Sequence, residues 1–377
     1  MTARVVGVPA EIKDHENRVA MQPDGVAELV HHGHTVLVQA GAGAGSRFGD
    51  GEFAEAGATI VDDADAVFSG ADVIVKVKEP VPAEYERFRE GQELFTYLHL
   101  AADKGLTEFL AERRIDAIAY ETVRTADGRL PLLTPMSEVA GRMAVQAAAH
   151  HLESPRGGAG LLLGGVPGTP AAHVTIVGGG VSGTEAAKIA VGMRAIVRVF
   201  DIDPRRLAYL SDVFEGRVDL VVPNRARLAA AVAESDVVVG AVLVPGAKAP
   251  KLVSREMIAA MRPGSVVVDI AIDQGGCFET SRPTTHSDPT YVEEDVVHYC
   301  VANIPGAVAR TSTMALTSAT LPYLVRVAAD GIRGAAAAEP SLAAGLSTLG
   351  GDVVSEPVAE AHDLPHVDPG PLLARSA

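Results

Sequence analysis

The sequence predicts an α/β protein made of two doubly wound domains with parallel sheets, and three observations support this prediction. Short runs rich in Val and Ile alternate with helical stretches along the chain. Most of these runs are continuously apolar instead of alternating, which is typical of parallel strands buried on both faces. A chain of 377 residues also exceeds the size at which a single hydrophobic core normally stops growing, so we expect two domains.

The first part of the chain contains six predicted strands. They are the runs RVVGVP, TVLVQA, ATIV, DVIVKVKEP, ELFTYLHL and DAIAYE. A helix, PDGVAELVHHG, follows the first strand, with Pro23 in its first turn and Gly33 just beyond its end, the positions that these residues favour. Repeated βα units of this kind predict one doubly wound domain.

A second βα series begins after residues 154–172, a segment rich in Gly and Pro that we interpret as a loop at a boundary. A long helix over 137–153, opened by Ser137 as a plausible cap, precedes this loop. Six further strands are predicted at HVTIVG, IVRVFD, RVDLVV, DVVVGAV, SVVVDIA and VHYCVAN. A helical stretch around 313–331 is assigned to the first domain, so the chain is expected to cross twice between the domains.

The charge and the cysteine content exclude several classes of partner and compartment. The formal net charge is −16, which disfavours binding to nucleic acid or to an anionic membrane. Cys277 and Cys300 have no zinc-binding spacing, so a reduced, cytoplasmic protein is expected. The N-terminus lacks the apolar core of a signal peptide, and no run is long enough to predict a membrane span.

A glycine-rich turn at the start of the second series predicts a dinucleotide site. Gly178, Gly180 and Gly183 form G-x-G-x-x-G after a β-branched run and before an Ala-rich helix, which is the context that this otherwise weak motif requires. The next strand ends at Asp201, 18 residues after Gly183. A carboxylate at this spacing is placed to accept a hydrogen bond from the ribose hydroxyl and would repel a 2′-phosphate, so NAD is favoured over NADP.

The position of this motif assigns a role to each half of the chain. We predict an NAD-binding, Rossmann-like domain over residues 137–304. Residues 1–136 plus 305–377 are predicted to form the substrate and catalytic domain. A cleft between the two domains would place a substrate beside the cofactor.

Titratable side chains follow several strands of the predicted first domain. Lys76 and Lys78 lie at the end of the fourth run, His99 lies at the end of the fifth, and Arg18 lies in the loop after the first. Ligands of open α/β sheets bind beyond the carboxyl ends of the strands, so these groups are expected to converge on an anionic substrate.

Each candidate also has a structural alternative. A lone histidine such as His99 is more often a core residue, and lysines or arginines near strand ends are usually solvated. In the second domain, Asp269 and Asp273 lie at the end of the apolar strand SVVVDIA. Asp269 is equally compatible with a buried hydrogen-bonding group, and Asp273 with a turn former.

The chain resembles the L-alanine dehydrogenase family over nearly its whole length. The segments that carry the resemblance are ENRVA, VKVKEP, LFTYLHLAAD, AYETV, LPLLTPMSEVAGRMAVQ, GGVPG, VGGG, DVVVGAVLVPGAKAPKLV, VVDIAIDQGG and ANIPGAVARTST. The nucleotide-binding part of nicotinamide nucleotide transhydrogenase shares this family's fold. The resemblance implies reversible, NAD-dependent conversion of L-alanine to pyruvate and ammonium.

The resemblance also implies a role for each site residue. It assigns His99 as the catalytic acid/base and Asp273 as the acid that orients water or ammonia. It assigns Arg18 to the substrate carboxylate, and Lys78 to the carboxylate and carbonyl oxygen. Cofactor contacts are implied at Ser137, Gly178, Gly180, Val181, Ser182, Gly183, Asp201, Arg206, Val242, Leu243, Ile270, Arg282 and Asn303.

The resemblance leaves three alternative functions open, and this chain departs from the family in one segment. Some relatives carry a magnesium-type site in the late helix, where this chain has Arg326 and Asp330. A lone Asp beside an Arg is a poor divalent site, so no metal is predicted. The alternatives to alanine dehydrogenase are a transhydrogenase NAD-binding subunit, a relative that prefers glycine and glyoxylate, and a non-catalytic nucleotide-binding protein. A homo-oligomer, typically a hexamer in this family, is expected.

Overall fold

The computed structural model describes residues 3–242 and 249–374. The chain forms two compact units, one of residues up to Met136 and from Val308 onward, and one of Ser137–Ala307. The catalytic and NAD-binding roles assigned to the two parts of the chain, and the cleft between them, stay predictions. Segment 154–172 lies inside the second unit.

The described residues contain fifteen strands. In chain order they are β1 (Val5–Val8), β2 (Thr35–Gln39), β3 (Thr59–Val61), β4 (Val73–Val75), β5 (Glu93–Thr96), β6 (Asp116–Ala119), β7 (His173–Val177), β8 (Ile196–Phe200), β9 (Val218–Val221), β10 (Val237–Gly240), β11 (Val266–Asp269), β12 (Thr290–Glu293), β13 (Val296–Tyr299), β14 (Leu346–Leu349) and β15 (Asp352–Val353). All twelve strands expected from the sequence are present.

The described helices connect and cover these strands. They are α1 (Pro23–His31), α2 (Asp50–Glu55), α3 (Ala64–Gly70), α4 (Lys104–Glu112), α5 (Thr134–His151), α6 (Val181–Gly192), α7 (Pro204–Phe214), α8 (Arg225–Glu234), α9 (Arg255–Ala259), α10 (Ala309–Ala338), α11 (Pro340–Ala343), α12 (Glu356–His362) and α13 (Pro369–Ala374). Helix α10 is broken at Gly331, whose φ of 71° and ψ of 169° are not helical.

The two sheets repeat one strand order. The first sheet runs β15-β14-β6-β5-β4-β1-β2-β3, and the second runs β12-β13-β11-β10-β7-β8-β9. In each sheet six parallel strands follow the order 3-2-1-4-5-6 of a doubly wound fold, with its switch point beside the first strand of the series. The predicted α/β class with two doubly wound sheets is therefore confirmed.

The prediction of purely parallel sheets was incomplete, because antiparallel strands extend one edge of each sheet. Strand β14 pairs antiparallel with β6 and with β15, and β12 pairs antiparallel with β13. These short strands come from segments without a continuous apolar run. Their pairing depends on an existing sheet edge and not on a local signal.

The central strands are buried throughout and mostly apolar. All three residues of β4 and all four of β11 are buried. This burial explains why the runs are continuous in apolar residues.

Helix α5 begins earlier than the sequence predicted. Its first residue is Thr134, so Ser137 lies within the helix and is not its cap. Pro135 is the physical reason, since proline fits the first helical turn, where its missing N–H is not needed.

Candidate active site and dinucleotide-binding loop

The register of β4 against β5 brings two strand-end segments side by side. Val75 pairs with Phe95, an offset of 20 residues, and the next N–H along, that of Lys76, donates to the Phe95 carbonyl at 3.2 Å. At this offset Lys76 is level with Thr96. Three residues further along each segment, Glu79 is level with His99. The carboxyl edge of the sheet thereby presents the predicted histidine beside a carboxylate.

His99 occupies a tight turn that a neighbouring strand stabilises. Its backbone has φ 50° and ψ 35°, a left-handed conformation that is uncommon for a residue other than glycine. Glu121, just beyond β6, accepts the His99 N–H at 2.6 Å and the Leu98 N–H at 3.2 Å. The two hydrogen bonds hold the turn and direct the imidazole away from the core.

The imidazole of His99 is accessible and faces a carboxylate. Its side chain is 45% exposed, and Nδ1 lies 3.6 Å from Oε2 of Glu79. The other Glu79 oxygen pairs with the Lys13 ammonium. Burial lowers the pKa of His99, but Glu79 and Glu121 outweigh this effect and the pKa is raised. Burial would raise the pKa of Glu79, yet His99, Lys78 and Lys13 hold it well below its usual range.

The structure separates the two lysines of VKVKEP. Lys76 is 1% exposed and pairs with Glu84 at 2.8 Å and with Glu11 at 3.2 Å. Burial lowers its pKa, but the two carboxylates raise it overall, so Lys76 is a buried structural cation. Lys78 is half-buried, and its ammonium makes no ion pair or hydrogen bond within residues 3–242 and 249–374.

Arg18 is held by a carboxylate two residues before it. Its side chain is 2% exposed, and Nε and Nη2 donate to the Glu16 carboxylate at 2.7 and 2.5 Å. Nη1 lies 3.2 Å from Sδ of Met136. Glu16 therefore fixes the side-on edge of the guanidinium, and the predicted contact of Arg18 with a substrate carboxylate stays a prediction.

The backbone on both sides of Arg18 is also tied down. The Ser46 hydroxyl donates to the Asn17 carbonyl at 2.8 Å, and the Val19 N–H donates to Oγ1 of Thr313 at 3.1 Å. Thr313 lies on α10, so the late helix contributes to the placement of Arg18 within the first unit.

Sequence reasoning missed the acidic partners of this site. Glu16, Glu79 and Glu121 each contact a predicted residue or its backbone. A signal was available for two of them. Glu79 follows Lys78 directly, and Glu121 is the last residue of the predicted strand DAIAYE.

The glycine-rich turn between β7 and α6 has the geometry that the motif predicts. Gly178 has φ 104°, and a Cβ on Gly183 would lie 1.8 Å from the Gly178 carbonyl. A Cβ on Gly180 would meet no atom within 4 Å. No side chain caps α6, so the first-turn N–H groups, which include those of Val181 and Ser182, suit an anion. A pyrophosphate fits this turn.

Asp201 lies beside the glycine-rich turn and is joined to it. Oδ2 accepts the Gly179 N–H at 2.7 Å, and Oδ1 accepts the Asp203 N–H at 2.8 Å. Each carboxylate oxygen has a second lone pair, so this half-buried group fits acceptance of ribose hydroxyls.

Arg206 also contacts the glycine-rich turn. Its guanidinium donates to the carbonyl of Gly179, to that of Gly180 at 3.1 Å and to Oγ1 of Thr184 at 2.5 Å. It also packs over the Tyr209 ring at 4.7 Å. In this geometry Arg206 braces the loop, while its predicted contact with the ribose stays a prediction.

Sheet register gathers further cofactor candidates at the same edge. Val177 pairs with Phe200 on one side and with Gly240 on the other, and Gly240 pairs with Asp269. The segments that leave these strands therefore start side by side. They carry the predicted cofactor residues Gly178, Asp201, Val242 and Ile270.

The other cofactor candidates have varied surroundings. The Arg282 guanidinium stacks on the Tyr291 ring at 3.9 Å. Asn303 has a left-handed φ of 68°. Ser137 is half-buried within α5. Leu243 lies outside the described residues, and none of these contacts with a cofactor is tested by the structure.

The aspartates at and after the end of β11 differ. Asp269 is fully buried and accepts the Ser281 hydroxyl at 2.5 Å and the Cys277 N–H at 2.8 Å. Burial raises its pKa, and it acts as the buried hydrogen-bonding group that one alternative described. Asp273 is exposed in the short 3-10 helix Ile272–Gln274 and keeps its predicted role as a prediction.

Two negative findings concern the described part of the chain. Residues 3–242 and 249–374 contain no group of three or more His, Cys, Asp or Glu arranged to hold a metal ion. None of their helices is both long and apolar enough to cross a lipid bilayer. The absence of a metal from the reaction remains a prediction.

The fold and the glycine-rich turn together define a class of protein. The turn lies at the switch point of a 3-2-1-4-5-6 sheet, opens an uncapped helix and carries an acidic residue at the end of the adjacent strand. These features define a Rossmann-type dinucleotide-binding protein.

Comparisons with known proteins identify the family. A model described as "Alanine dehydrogenase/PNT, N-terminal domain" matches residues 7–140, and "Alanine dehydrogenase/PNT, C-terminal domain" matches residues 144–356. The alanine dehydrogenase of Methanococcus maripaludis is 57% identical over 363 residues, which is 96% of this chain and 97% of that protein. The chain belongs to the alanine dehydrogenase/PNT family, as the sequence resemblance predicted.

Solved structures agree with this assignment. One described as L-alanine dehydrogenase is 50% identical with a TM-score of 0.92, over 95% of this chain and 99% of that one. A transhydrogenase from Sinorhizobium meliloti is 26% identical with a TM-score of 0.80, over 93% of this chain and 99% of that one.

Proposed function

We propose that this protein is an NAD-dependent L-alanine dehydrogenase. The reaction is L-alanine plus NAD and water to pyruvate, ammonium and NADH, with release of a proton, and it is reversible. The observation that carries the proposal is the half-exposed His99 imidazole, which faces the Glu79 carboxylate at 3.6 Å and feels the charge of Lys78. Identity above 50% to alanine dehydrogenases over nearly the whole chain supports the choice of substrate.

NAD is the cofactor that the second unit fits. Gly183 packs closely against Gly178, so the turn is tight and the helix N-terminus stays open to a pyrophosphate. Asp201 would accept hydrogen bonds from the ribose hydroxyls. The carboxylate of Asp201 disfavours the extra phosphate of NADP. Held at this turn, NAD would supply the hydride acceptor of the reaction.

Three residues of the first unit and Asp273 of the second supply proton transfer, charge and orientation. His99 accepts a proton from the water that adds to the imine carbon and returns it to the departing amine, which suits an imidazole titrating near neutral pH. The Lys78 ammonium stabilises negative charge on the substrate oxygens. Arg18 binds the substrate carboxylate, and Asp273 orients the water or ammonia.

One assay tests the proposal. NADH formation is followed by its absorbance with NAD plus L-alanine, with NAD plus glycine, and with NAD alone. We expect rapid reduction with alanine and slower reduction with glycine, since a pocket discriminates weakly against the loss of one methyl group. NADH binding without any alanine-dependent reduction would instead indicate a non-catalytic nucleotide-binding protein.

A transhydrogenase NAD-binding subunit is the second candidate, favoured by the structural similarity to the Sinorhizobium meliloti transhydrogenase. It predicts hydride exchange between NADH and a second nicotinamide analogue without alanine. A preference for glycine and glyoxylate is a third candidate, and the glycine arm of the assay tests it.

The assembly and location follow from the family alone. We propose a cytoplasmic homo-oligomer, a hexamer as is typical of the family. Both cysteines are buried free thiols, which is compatible with a reducing compartment. Light scattering after size-exclusion chromatography measures the assembly, and a monomer would contradict the proposal.

A further inference from the structure

Glu79 has one carboxylate oxygen whose purpose the fold alone does not explain. Oε1 pairs with the Lys13 ammonium. Oε2 is buried and has no hydrogen-bond partner within the described residues, yet it lies 3.6 Å from Nδ1 of His99. A buried carboxylate oxygen without a hydrogen bond reduces the free energy of unfolding. Its orientation toward the imidazole therefore indicates a function.

We propose that Glu79 is a positioning residue for His99, whose Nδ1 proton it accepts, and that Lys13 shares the same carboxylate and limits its effect. This proposal rests on the function proposed above and adds to it the orientation of the acid/base. With Nδ1–H directed at Glu79, Nε2 is the nitrogen that exchanges a proton with the reacting molecule. A distance of 3.6 Å is long for a hydrogen bond, but such bonds commonly shorten when substrate binds.

The strand register supports this pairing. Glu79 and His99 continue the 20-residue offset of β4 and β5. Both residues lie beyond the paired strands, which end at Val75 and Thr96. The two segments stay joined there, because the Tyr97 N–H donates to the Val77 carbonyl at 3.4 Å and the Thr96 hydroxyl to the Lys78 carbonyl at 3.2 Å. These links place Glu79 near His99 at the carboxyl edge of the sheet.

The other groups around His99 have different tasks. The Glu121 carboxylate is engaged by the backbone N–H groups of the turn. The charge of Lys78 opposes protonation of the ring. The Tyr97 ring stacks beside the imidazole at 5.9 Å. His362 on α12 contacts the carbonyl of the residue after His99, at 2.6 Å, and not the ring.

Two substitutions have opposite consequences. Glu79→Gln removes the charge that favours the imidazolium, so the His99 pKa falls. Lys13→Met removes the cation that shares this carboxylate, so the His99 pKa rises. A purely structural ion pair between Lys13 and Glu79 predicts loss of thermal stability in both variants and no opposed movement of the imidazole titration.

The experiment follows the imidazole of His99 by NMR in the full-length protein with labelled histidine, assigned by its loss in His99→Asn. The matched control is Glu90→Gln, an exposed carboxylate in the same unit. We expect the titration to move to lower pH in Glu79→Gln, to higher pH in Lys13→Met, and not at all in the control. Movement in the same direction in both variants, or in neither, overturns the proposal. If Glu79→Gln does not fold, Lys13→Met alone tests the proposal. A His99 pKa that is unchanged or lowered in Lys13→Met contradicts the pairing.

The kinetic readout separates this proposal from the proposed function. In Glu79→Gln we expect the plateau of kcat/KM for alanine to fall about tenfold to a hundredfold, as for other residues that orient a functional group. Its acid limb moves to lower pH with the imidazole. Opposed NMR shifts without any alanine turnover in the parent protein would sustain the pairing and refute the reaction. Alanine turnover in the parent protein, together with a His99 titration that is unchanged in the variants, would support the reaction and refute the pairing.

Discussion

The carboxylate of Glu121 accepts the backbone N–H of His99 at 2.6 Å and thereby stabilises a left-handed residue at the carboxyl edge of the sheet. Glu121 follows β6, and His99 follows β5. The residue that we assign as acid/base is thus oriented by the neighbouring strand as well as by its own.

Replacing Glu121 by Ala should release this turn. Two backbone N–H groups lose their acceptor, which we expect to cost about 1–3 kcal/mol of unfolding free energy. Since His99 is then no longer held in place, kcat/KM for alanine should fall about tenfold or more. Denaturant unfolding and steady-state kinetics measure both effects, with the exposed Glu112→Ala as control. Activity equal to that of the control would show that the turn at His99 keeps its conformation without Glu121.

Asparagine at position 99 should separate chemistry from backbone strain. Asn tolerates the left-handed conformation of His99 but has no group that titrates near neutral pH. We expect His99→Asn to retain the parent melting temperature and lose about a hundredfold to ten-thousandfold in kcat. Calorimetry and steady-state assays test this, and turnover within a few-fold of the parent would make the histidine structural.

Two glycines of α6 form a matched pair for testing the dinucleotide loop. A Cβ on Gly183 would lie 1.8 Å from a carbonyl oxygen, whereas one on Gly192 would meet nothing within 4 Å. Gly183→Ala should therefore cost about 1–3 kcal/mol through overpacking and weaken NADH binding at least tenfold. Gly192→Ala should be neutral or stabilising by up to about 1 kcal/mol. NADH fluorescence titration is the measurement, and equal affinities in the two variants would contradict the assigned site.

Stability should fall in mild acid because of a buried histidine. His298 is fully buried and hydrogen-bonded to Oγ1 of Thr280 at 2.7 Å and the carbonyl of Val296 at 2.9 Å. Burial lowers its pKa, so below about pH 6.5 the unfolded chain binds a proton that the folded chain does not. The stability contributed by the neutral ring is therefore present above that pH and is lost as the pH falls.

His298→Gln should reduce this pH dependence. Unfolding free energies, measured by denaturant roughly one pH unit above and below the ordinary histidine pKa of about 6.5, should differ less in the variant than in the parent. His173→Gln, at an exposed position of the same unit, is the control. An unchanged difference in His298→Gln would assign the acid sensitivity to another group.

Local signals in the sequence were sufficient for the parallel framework. Most of the twelve predicted strands are continuous apolar runs, and the glycines from Gly178 to Gly183 lie within one turn, so no distant residue is needed to recognise them. The antiparallel strands β12, β14 and β15 escaped prediction because they pair with an edge that exists after the sheet has formed. The start of α5 was misplaced because a serine resembles a cap and the preceding Thr-Pro was overlooked.

The sequence by itself determined the α/β class, the glycine-rich turn with Asp201, and the candidacy of His99. Its local pattern did not separate Lys76 from Lys78, which only the family resemblance distinguished, and it did not show that Glu79 belongs to the same site. The tertiary structure decided both points. Contacts with segments outside its strand bury Lys76 with Glu11 and Glu84, and the 20-residue offset of β4 and β5 brings Glu79 near His99. Pairing across strands depends on three-dimensional neighbours, which no local pattern in the chain encodes.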